Sequence, residues 1–509
     1  MDYDHRPDCP ILKSMSTFIR KSLTQSGATS VQIITKTGRK VTGTDHIGSA
    51  HNQSELEFLV ALANKRIHAG QLELELNLSE NGITGVVMEG AYSELLFDTL
   101  EDCYHRLGFG EIGDKVFKRL VLARIIEPSS KLDTIRILEE LGLDAPSNTG
   151  IHRCLARTIS QDYRSKLSVQ CFKHADVKSL SLLLYDVTTL YFEVQKEDEY
   201  RKPGMSKERR LEPQITVGLL VGRDGFPLEI ASFEGNRAEV KTIMEVLSTF
   251  KERYGLEEIT VTADAAMLSS KNIQALEDVG YHYIIGSRIA KTPYQIAEYT
   301  KAEGAELTDG QIFDTCQDMN TGKGTARISR RVIYQYRSKR ASLDLSNIDK
   351  ALAKAEHMVA GTTQFKRNRF LKVSGAKREI NYDLVASSRL RAGIKGYVTD
   401  LDVAPQEIIN AYHQLFEVER SFRMAKSDLK ARPIFHHTRD SIEAHLTVVF
   451  AALAIARTIQ STTGLTIKKF IRKLSIIRTG VISVNGNEYV IPPHVPDEIK
   501  AILAKLGSR

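Results

Sequence analysis

Between Ser181 and Met267 the chain spells three apolar strands, a helix and a fourth strand, and two of those strands run into an aspartate. Ser181–Glu193 is apolar up to Asp186, Gln214–Gly222 and Phe226–Glu234 are further strand-like runs, Ala238–Arg253 has helical spacing, and Ile259–Met267 is apolar up to Asp264. Short apolar runs punctuated by Gly and Pro predict strands. A carboxylate set in such a strand is costly to bury without a partner, and a bound divalent cation would remove that cost. Taken singly, each aspartate reads equally well as a turn or a helix cap, Asp264 ahead of Ala265 and Ala266 above all.

Three strands, a helix and a strand is the opening order of a ribonuclease-H-like α/β core built on a mixed sheet. In that order the first and fourth strands are neighbours, which predicts that Asp186 and Asp264 lie side by side. A third carboxylate comes later in the chain. Tyr412, Glu419 and Lys426 recur at seven-residue intervals, and on one helix they share a face that Arg423 joins. Leu415, Val418, Phe422 and Leu429 make the opposite, apolar stripe. The plainer alternative is a solvent-exposed helix carrying a Glu419–Arg423 pair.

A chain of 509 residues exceeds the roughly 250–300 at which one hydrophobic core stops growing, so at least three structural units are expected. Residues 1–85 read as a small α+β module. Ser30–Lys36 alternates as a strand, Thr37–Lys40 turns, and Ser54 with Glu57 forms a capping box before a helix to about Arg66. Asn77–Gly85, with its Asn81-Gly82 turn, leads onward. Residues 86–180 are helical, and Ser129–Leu141 and Asn148–Ile159, parted by Gly142, form either a plain packed pair or a DNA-binding helix-turn-helix. Ile442–Thr458 reads as a core helix, its apolar stretch Leu446–Ala456 being too short to span a bilayer. Ile467, Ile471, Leu474 and Ile477 stripe a basic amphipathic helix, and the tail from Val481 holds an Asn485-Gly486 turn and a short helix.

Five scattered cysteines (Cys9, Cys103, Cys154, Cys171, Cys316) form no Cys-x-x-Cys pair, and Cys171 with His174 lacks the second pair of a zinc site, so a structural role in a reducing cytoplasm is expected. The first residues hold no apolar signal segment, and no membrane partner is expected. Gly108 to Gly113 is followed by Asp114 and Lys115, which misplaces the lysine of a phosphate-binding loop, so no nucleotide cofactor is expected either.

The net charge of +7 is modest, but its distribution is not even. From Thr321 to Arg340 there are seven basic residues, Lys323, Arg327, Arg330, Arg331, Arg337, Lys339 and Arg340, and no acidic one. Further groups follow at Lys366, Arg367, Arg369, Lys372, Lys377 and Arg378, and at Lys468, Lys469, Arg472, Lys473 and Arg478. One such run is as readily a solvated face; several point to a polyanionic partner.

The spacing of Tyr412, Leu415, Glu419 and Lys426 resembles the Tyr-x2-Arg-x3-Glu-x6-Lys signature of the DDE transposases of bacterial insertion sequences, in their cut-and-paste branch, with Leu415 in place of the arginine. Glu419–Arg423 with Arg432–His436, Ser26–Lys40 with Asp45–His51, Arg124–Glu139, Asp186–Glu193, Gln214–Leu228 and Thr262–Ser269 are similar to blocks of one subgroup of that family. The resemblance implies a ribonuclease-H-like core in two parts, residues 181–288 and 401–460, around a β-rich insertion over 289–400, with a C-terminal helical tail over 461–509. The strand-like Arg330–Tyr336 and Arg369–Gly375, around a helical Ile348–Met358, agree with the insertion. It further implies that Asp186, Asp264 and Glu419 are catalytic and hold two Mg²⁺ ions, or Mn²⁺, with Asp186 shared between them. Tyr412, Arg423 and Lys426 would contact DNA phosphates, and Arg327, Arg330 and Arg331 are expected to do so from the insertion. The partners implied are double-stranded DNA, both element ends and target, and a second protomer in a homodimer on that DNA, in the cytoplasm at the nucleoid. A non-transposing nuclease with the same core and a catalytically silent DNA-binding protein are the alternatives.

Overall fold

The computed structural model describes residues 15–23, 28–37, 40–50, 52–67, 86–175, 182–193, 197–204, 212–237, 239–256, 258–265, 269–287, 289, 292–302, 306–320, 327–364, 366–374, 377–484 and 487–507. Cys9, the Gly38-Arg39 turn, the Asn77–Gly85 connection, Ala266, Met267, Lys323 and the Asn485-Gly486 turn lie outside the described residues. Where length leads one to expect at least three units, the chain folds as two, residues 1–86 and 87–509.

In the first unit β1 (Met15–Leu23), β2 (Thr29–Thr37) and β3 (Lys40–Ala50) form an antiparallel sheet in sequence order. Helix α1 (Gln53–Ile67) packs on it through Ala63, Leu59 and Val60 against Val31 and Ile33. Asn52 and Glu55 cap α1 at Gln53, and the side chains of Ser54 and Glu57, the capping pair expected from the sequence, lie outside the described residues. Asn52 Oδ1 accepts the Glu55 N–H at 2.8 Å and its amide donates to the Glu55 carboxylate at 2.7 Å.

The second unit opens with β4 (Val86–Tyr92) and a helical layer: α2 (Glu94–Arg106), α3 (Lys115–Ile126), α4 (Lys131–Glu140), α5 (Asn148–Ser160) and α6 (Tyr163–His174). Asp114, Ser130, Ser147 and Asp162 cap the last four by accepting first-turn N–H groups. Then come β5 (Leu182–Tyr191), β6 (Gln214–Val221), β7 (Pro227–Glu234), α7 (Glu239–Tyr254), β8 (Thr260–Ala263), α8 (Ser270–Asp278), β9 (His282–Ser287), α9 (Tyr294–Lys301), β10 (Ile312–Asn320) and β11 (Arg327–Tyr336). They are followed by α10 (Ser338–Val359), β12 (Leu371–Ser374), β13 (Lys377–Ile380), α11 (Tyr382–Leu390), β14 (Ile394–Thr399), α12 (Pro405–His413) and α13 (Leu415–Arg423). After a π-helical turn over Met424–Asp428 the chain ends in α14 (Arg439–Thr463), α15 (Ile467–Leu474), β15 (Thr479–Val484), β16 (Asn487–Ile491) and α16 (Asp497–Leu506).

Eight strands make one mixed sheet in the order β10-β11-β14-β9-β8-β5-β6-β7. Only β5 with β8 and β8 with β9 pair in parallel. The first and fourth strands of the aspartate region are thus neighbours. The β-rich insertion expected over 289–400 differs from expectation. Its strands β10, β11 and β14 do not form a body of their own but continue the central sheet outward from β9, burying Val332, Ile333 and Val398 in the common core. An open edge at β9 would leave a row of unpaired N–H and C=O groups, and β14 covers it. What stands apart is smaller: α10, α11 and the β12–β13 hairpin close over Ile348, Ala355, Phe370 and Val385.

Helix α14 is the axis of the second unit, touching α2, α3, α5, α6, β7 and α16. It is long and apolar enough to cross a membrane, with a mean hydropathy of 1.6 over its most apolar window, yet 89% of that window is buried inside the fold. One core cluster runs from Leu96 to Leu506, which is why the segments from residue 87 onward do not separate. Cys103, Cys154 and Cys171 are buried free thiols, and His174 packs on Phe226 at 5.3 Å rather than joining Cys171 in a metal site.

Candidate active site

Strand β5 pairs with β8 in the register Leu182↔Thr260, Leu183↔Val261, Leu184↔Thr262. Two further steps set Asp186 beside Asp264, the first residue after β8. Side chains alternate across a strand. Tyr185 turns toward α7, where its hydroxyl is 2.8 Å from Thr242 Oγ1, so Asp186 faces the opposite side. There α13 lies across β5 and β6, burying Leu415, Val418, Ser421 and Phe422, while Glu419 stays exposed. Two contacts fix that helix. Ser421 Oγ donates to the Gly225 carbonyl at 2.9 Å, and Glu417 pairs with Arg420 at 2.9 Å and Arg457 at 2.7 Å. Gly225 has φ of +80°, and a Cβ there would overlap the Arg457 guanidinium.

Asp186, Asp264 and Glu419 line one cavity of about 240 Å³, together with Lys395, Tyr412, His413, Leu415 and Phe416. Tyr412 is buried, and its hydroxyl donates to Asp264 Oδ1 at 3.4 Å. Gly286 of β9 makes room for it, since a Cβ there would overlap the Tyr412 hydroxyl. Burial, and then the Asp264 charge, push the Tyr412 phenol well above its ordinary pKa. The Lys395 ammonium sits 4.2 Å over the Tyr412 ring. Burial and the Arg340 charge push its pKa down, against the opposing pull of Asp264 and Glu419.

The helix face expected to join Tyr412, Glu419, Arg423 and Lys426 is not continuous. The helix breaks at Gln414, leaving Tyr412 on α12 and Glu419 on α13, and the π turn shifts the phase again before Lys426. Tyr412 and Glu419 reach the cavity from separate helices; Arg423 and Lys426 are not among its lining residues. Arg423 is exposed beside Phe416, and Lys426 donates to Thr188 on β5.

Two of the three arginines expected on DNA are engaged within the fold. Arg330 is buried and bidentate to Glu277, at 2.8 Å from both its Nε and Nη2. Arg331 grips Asp314 at 3.1 and 2.7 Å and donates to the Leu401 carbonyl at 2.6 Å. β11 turns these side chains to α8 and β10, and Arg327 at its start is the exposed one. Missing from the sequence reading is the cation that does reach the site. Lys395 interrupts the apolar strand Ile394–Thr399 as Asp186 interrupts β5, which is the pattern that would have flagged it. From Asp264, Lys395 and Tyr412 an adjoining hollow of about 610 Å³ runs past Arg340, Arg369 and Arg391.

The three carboxylates line one cavity and are hard oxygen donors of the kind Mg²⁺ prefers, so the chemistry of the donors, though not their spacing as they stand, suits a hard divalent cation. Among the described residues no group of three or more His, Cys, Asp or Glu side chains is gathered tightly enough to hold an ion.

Residues 178–455 match the family described as the transposase DDE domain. No curated protein matches the chain. A solved structure, the cryo-EM structure of a piggyBac transposase synaptic complex with hairpin DNA, is similar at a TM-score of 0.39 and 8% identity, over 77% of this chain and 81% of that one. The family match covers more than half of the 509 residues and spans Asp186, Asp264 and Glu419, and the chain belongs to the transposase DDE domain family.

Proposed function

We propose that this chain is the transposase of an insertion sequence, a ribonuclease-H-like enzyme that binds the element's ends as a homodimer and catalyses metal-dependent strand cleavage and strand transfer. The observation that carries the reading is that Asp186, Asp264 and Glu419, far apart in the chain, line one cavity that continues into a hollow edged by Arg340, Arg369 and Arg391. Cations there attract a phosphodiester backbone.

Asp186, Asp264 and Glu419 are the residues that would hold the divalent ions, Mg²⁺ or Mn²⁺. The chemistry such ions supply is activation of the attacking oxygen and stabilisation of the leaving one. The chain's own groups do the rest. Lys395 and Arg340 set positive charge beside the phosphate, and Tyr412 orients Asp264 through its hydroxyl. In the first step a water oxygen bonds to phosphorus, the bond to the 3′ oxygen breaks, and that oxygen takes up a proton. In the second the freed 3′-OH bonds to a phosphorus of a second DNA and gives its proton to water, while the bond to that strand's 3′ oxygen breaks and this oxygen takes up a proton. The raised pKa of Tyr412 makes it a poor nucleophile, in keeping with a route that needs no covalent protein–DNA link.

The test incubates the purified chain with labelled element-end DNA, a second duplex and Mg²⁺. Strand-specific cleavage and joining are expected, and Glu419→Gln lowers both about 10³-fold with the unfolding midpoint unchanged. Cleavage without joining would make it a nuclease; binding with neither would make it a silent DNA-binding protein.

A further inference from the structure

A second cavity, of about 740 Å³, lies between the helical layer and the loop after the π turn. Two of the sequence blocks that the catalytic reading leaves idle meet there, Arg124–Glu139 and Arg432–His436. Its lining brings together the cations Arg124, Lys131, Lys430 and Arg432, with Asp133 as the one carboxylate among the described residues. Asp133 is already engaged, accepting from the Ser130 hydroxyl at 2.7 Å. No carboxylate among the described residues pairs with Arg124 or Lys131.

Even a half-buried cation without a counter-charge is costly for a fold to keep. Burial pulls Arg124 down to about 10 and lowers Lys131 as well. The same excess of charge is felt by His436 on the cavity wall, which burial, then Lys131 and Arg124, push down to about 4. Helices α4 and α5 both begin on the cavity, at Ser130 and Asn148, so the positive ends of two helix dipoles add to it. The cavity is therefore matched to a compact anion carrying more than one oxygen.

We propose that this cavity is a second phosphate-binding site, separate from the carboxylate cleft, that seats a backbone phosphate of the DNA on which the chain acts. The inference rests on the proposed function for its choice of DNA over a free phosphate. The geometry favours that source. The loop carrying Lys430, Arg432 and His436 continues from the helix of Glu419 through one π turn, and its Ile434 bridges in parallel to Phe192, just beyond the strand of Asp186. A phosphate held there is tied by short covalent and hydrogen-bonded links to two of the three acidic positions, so the site can fix where along the duplex the cut falls.

The test uses the full chain, a duplex carrying an element end, and inorganic pyrophosphate as the small-ion probe. Dissociation constants are measured across a salt series for the wild type, Arg124→Met and Lys131→Met. Each substitution is expected to weaken duplex binding and to reduce the slope of log affinity against log salt by about 1. The thermal midpoint of Arg124→Met should be unchanged or raised, because a half-buried charge with no carboxylate partner has been removed. Unchanged duplex affinity and slope in both variants, with pyrophosphate binding unchanged as well, overturns the site and leaves the transposase reading intact. Loss of pyrophosphate binding without loss of duplex binding overturns the DNA assignment in favour of a free phosphate. Failure of the wild type to bind duplex overturns the inference and the proposed function together. Should Arg124→Met not fold, Lys131→Met, at the edge of the cavity, decides the matter alone.

Discussion

At the scale of single residues, what could be read from the sequence was polarity out of place. Asp186 and Asp264 were legible because each lies in or at the end of an apolar run, a contrast visible within a few positions. Lys395 carries the same contrast but no matching partner nearby in sequence, since its neighbours Tyr412, Asp264 and Glu419 arrive from three other elements. Arg330 misled in the other direction: its run of basic neighbours suggested DNA, while its true partner, Glu277, lies 53 positions away. The Tyr412–Gly286 contact supplies a residue-scale prediction. Gly286→Ala would push the Tyr412 hydroxyl off Asp264. The expected outcome is a stability loss of about 1–3 kcal/mol from overpacking and slower cleavage. Tyr412→Phe, which removes the overlapping oxygen, should restore most of the stability in the double variant but not the cleavage rate. Chemical denaturation of the four proteins in the cycle checks this; additive losses would show that the two positions are not in contact.

Elements were legible where periodicity runs unbroken, and misread where it continues across a change of axis. The seven-residue spacing from Tyr412 to Lys426 passes through a helix break and a π turn that no residue in the stretch announces, because Gln414 is neither Gly nor Pro. The strands of the insertion were recognised as strands, but pairing is non-local, and nothing in β11 says that its neighbour is β14. Arg330 ties β11 to α8 through Glu277, and this pair makes an element-scale prediction. Glu277→Gln leaves a guanidinium that is 2% exposed without its counter-charge, at an expected cost of about 3–5 kcal/mol. The Arg330 hydrogen bonds hold the Glu277 carboxyl below its usual range. A depressed acid stabilises above its unfolded pKa and loses that contribution as pH falls through the folded one, so wild type and Glu277→Gln should converge in acid. The salt dependence of DNA binding should not change, whereas Arg327→Gln should reduce it. If Glu277→Gln unfolds at the wild-type denaturant midpoint at neutral pH, the ion pair is not what holds β11 to α8.

For the whole molecule, the long apolar helix was recognisable, but its role as an axis was not, because that depends on α2, α3, α5, α6, β7 and α16 all reaching it. One charged residue on α14 shows how the parts are joined. The Glu443 carboxylate accepts from Arg164 of α6 at 2.6 Å, from the Tyr200 hydroxyl at 2.7 Å, and from Ser232 of β7 at 2.7 Å. It therefore links the helical layer, the segment between β5 and β6, and the far edge of the sheet. Burial alone would raise its pKa, but Arg164 and the two hydroxyls outweigh burial and leave the carboxyl below its usual range. Its contribution is present at neutral pH and is lost as pH falls through that lowered value. Glu443→Gln keeps the shape while removing the charge, and it leaves Arg164, 19% exposed, without its partner. The expected loss is about 3–5 kcal/mol at pH 7, read from denaturant unfolding, with the gap to wild type closing in acid. Because α14 holds both the sheet and the helical layer, the transition should stay single and cooperative while its midpoint falls. Two resolved transitions would mean that these layers are stable without the helix between them, and that the second unit is not one cooperative body.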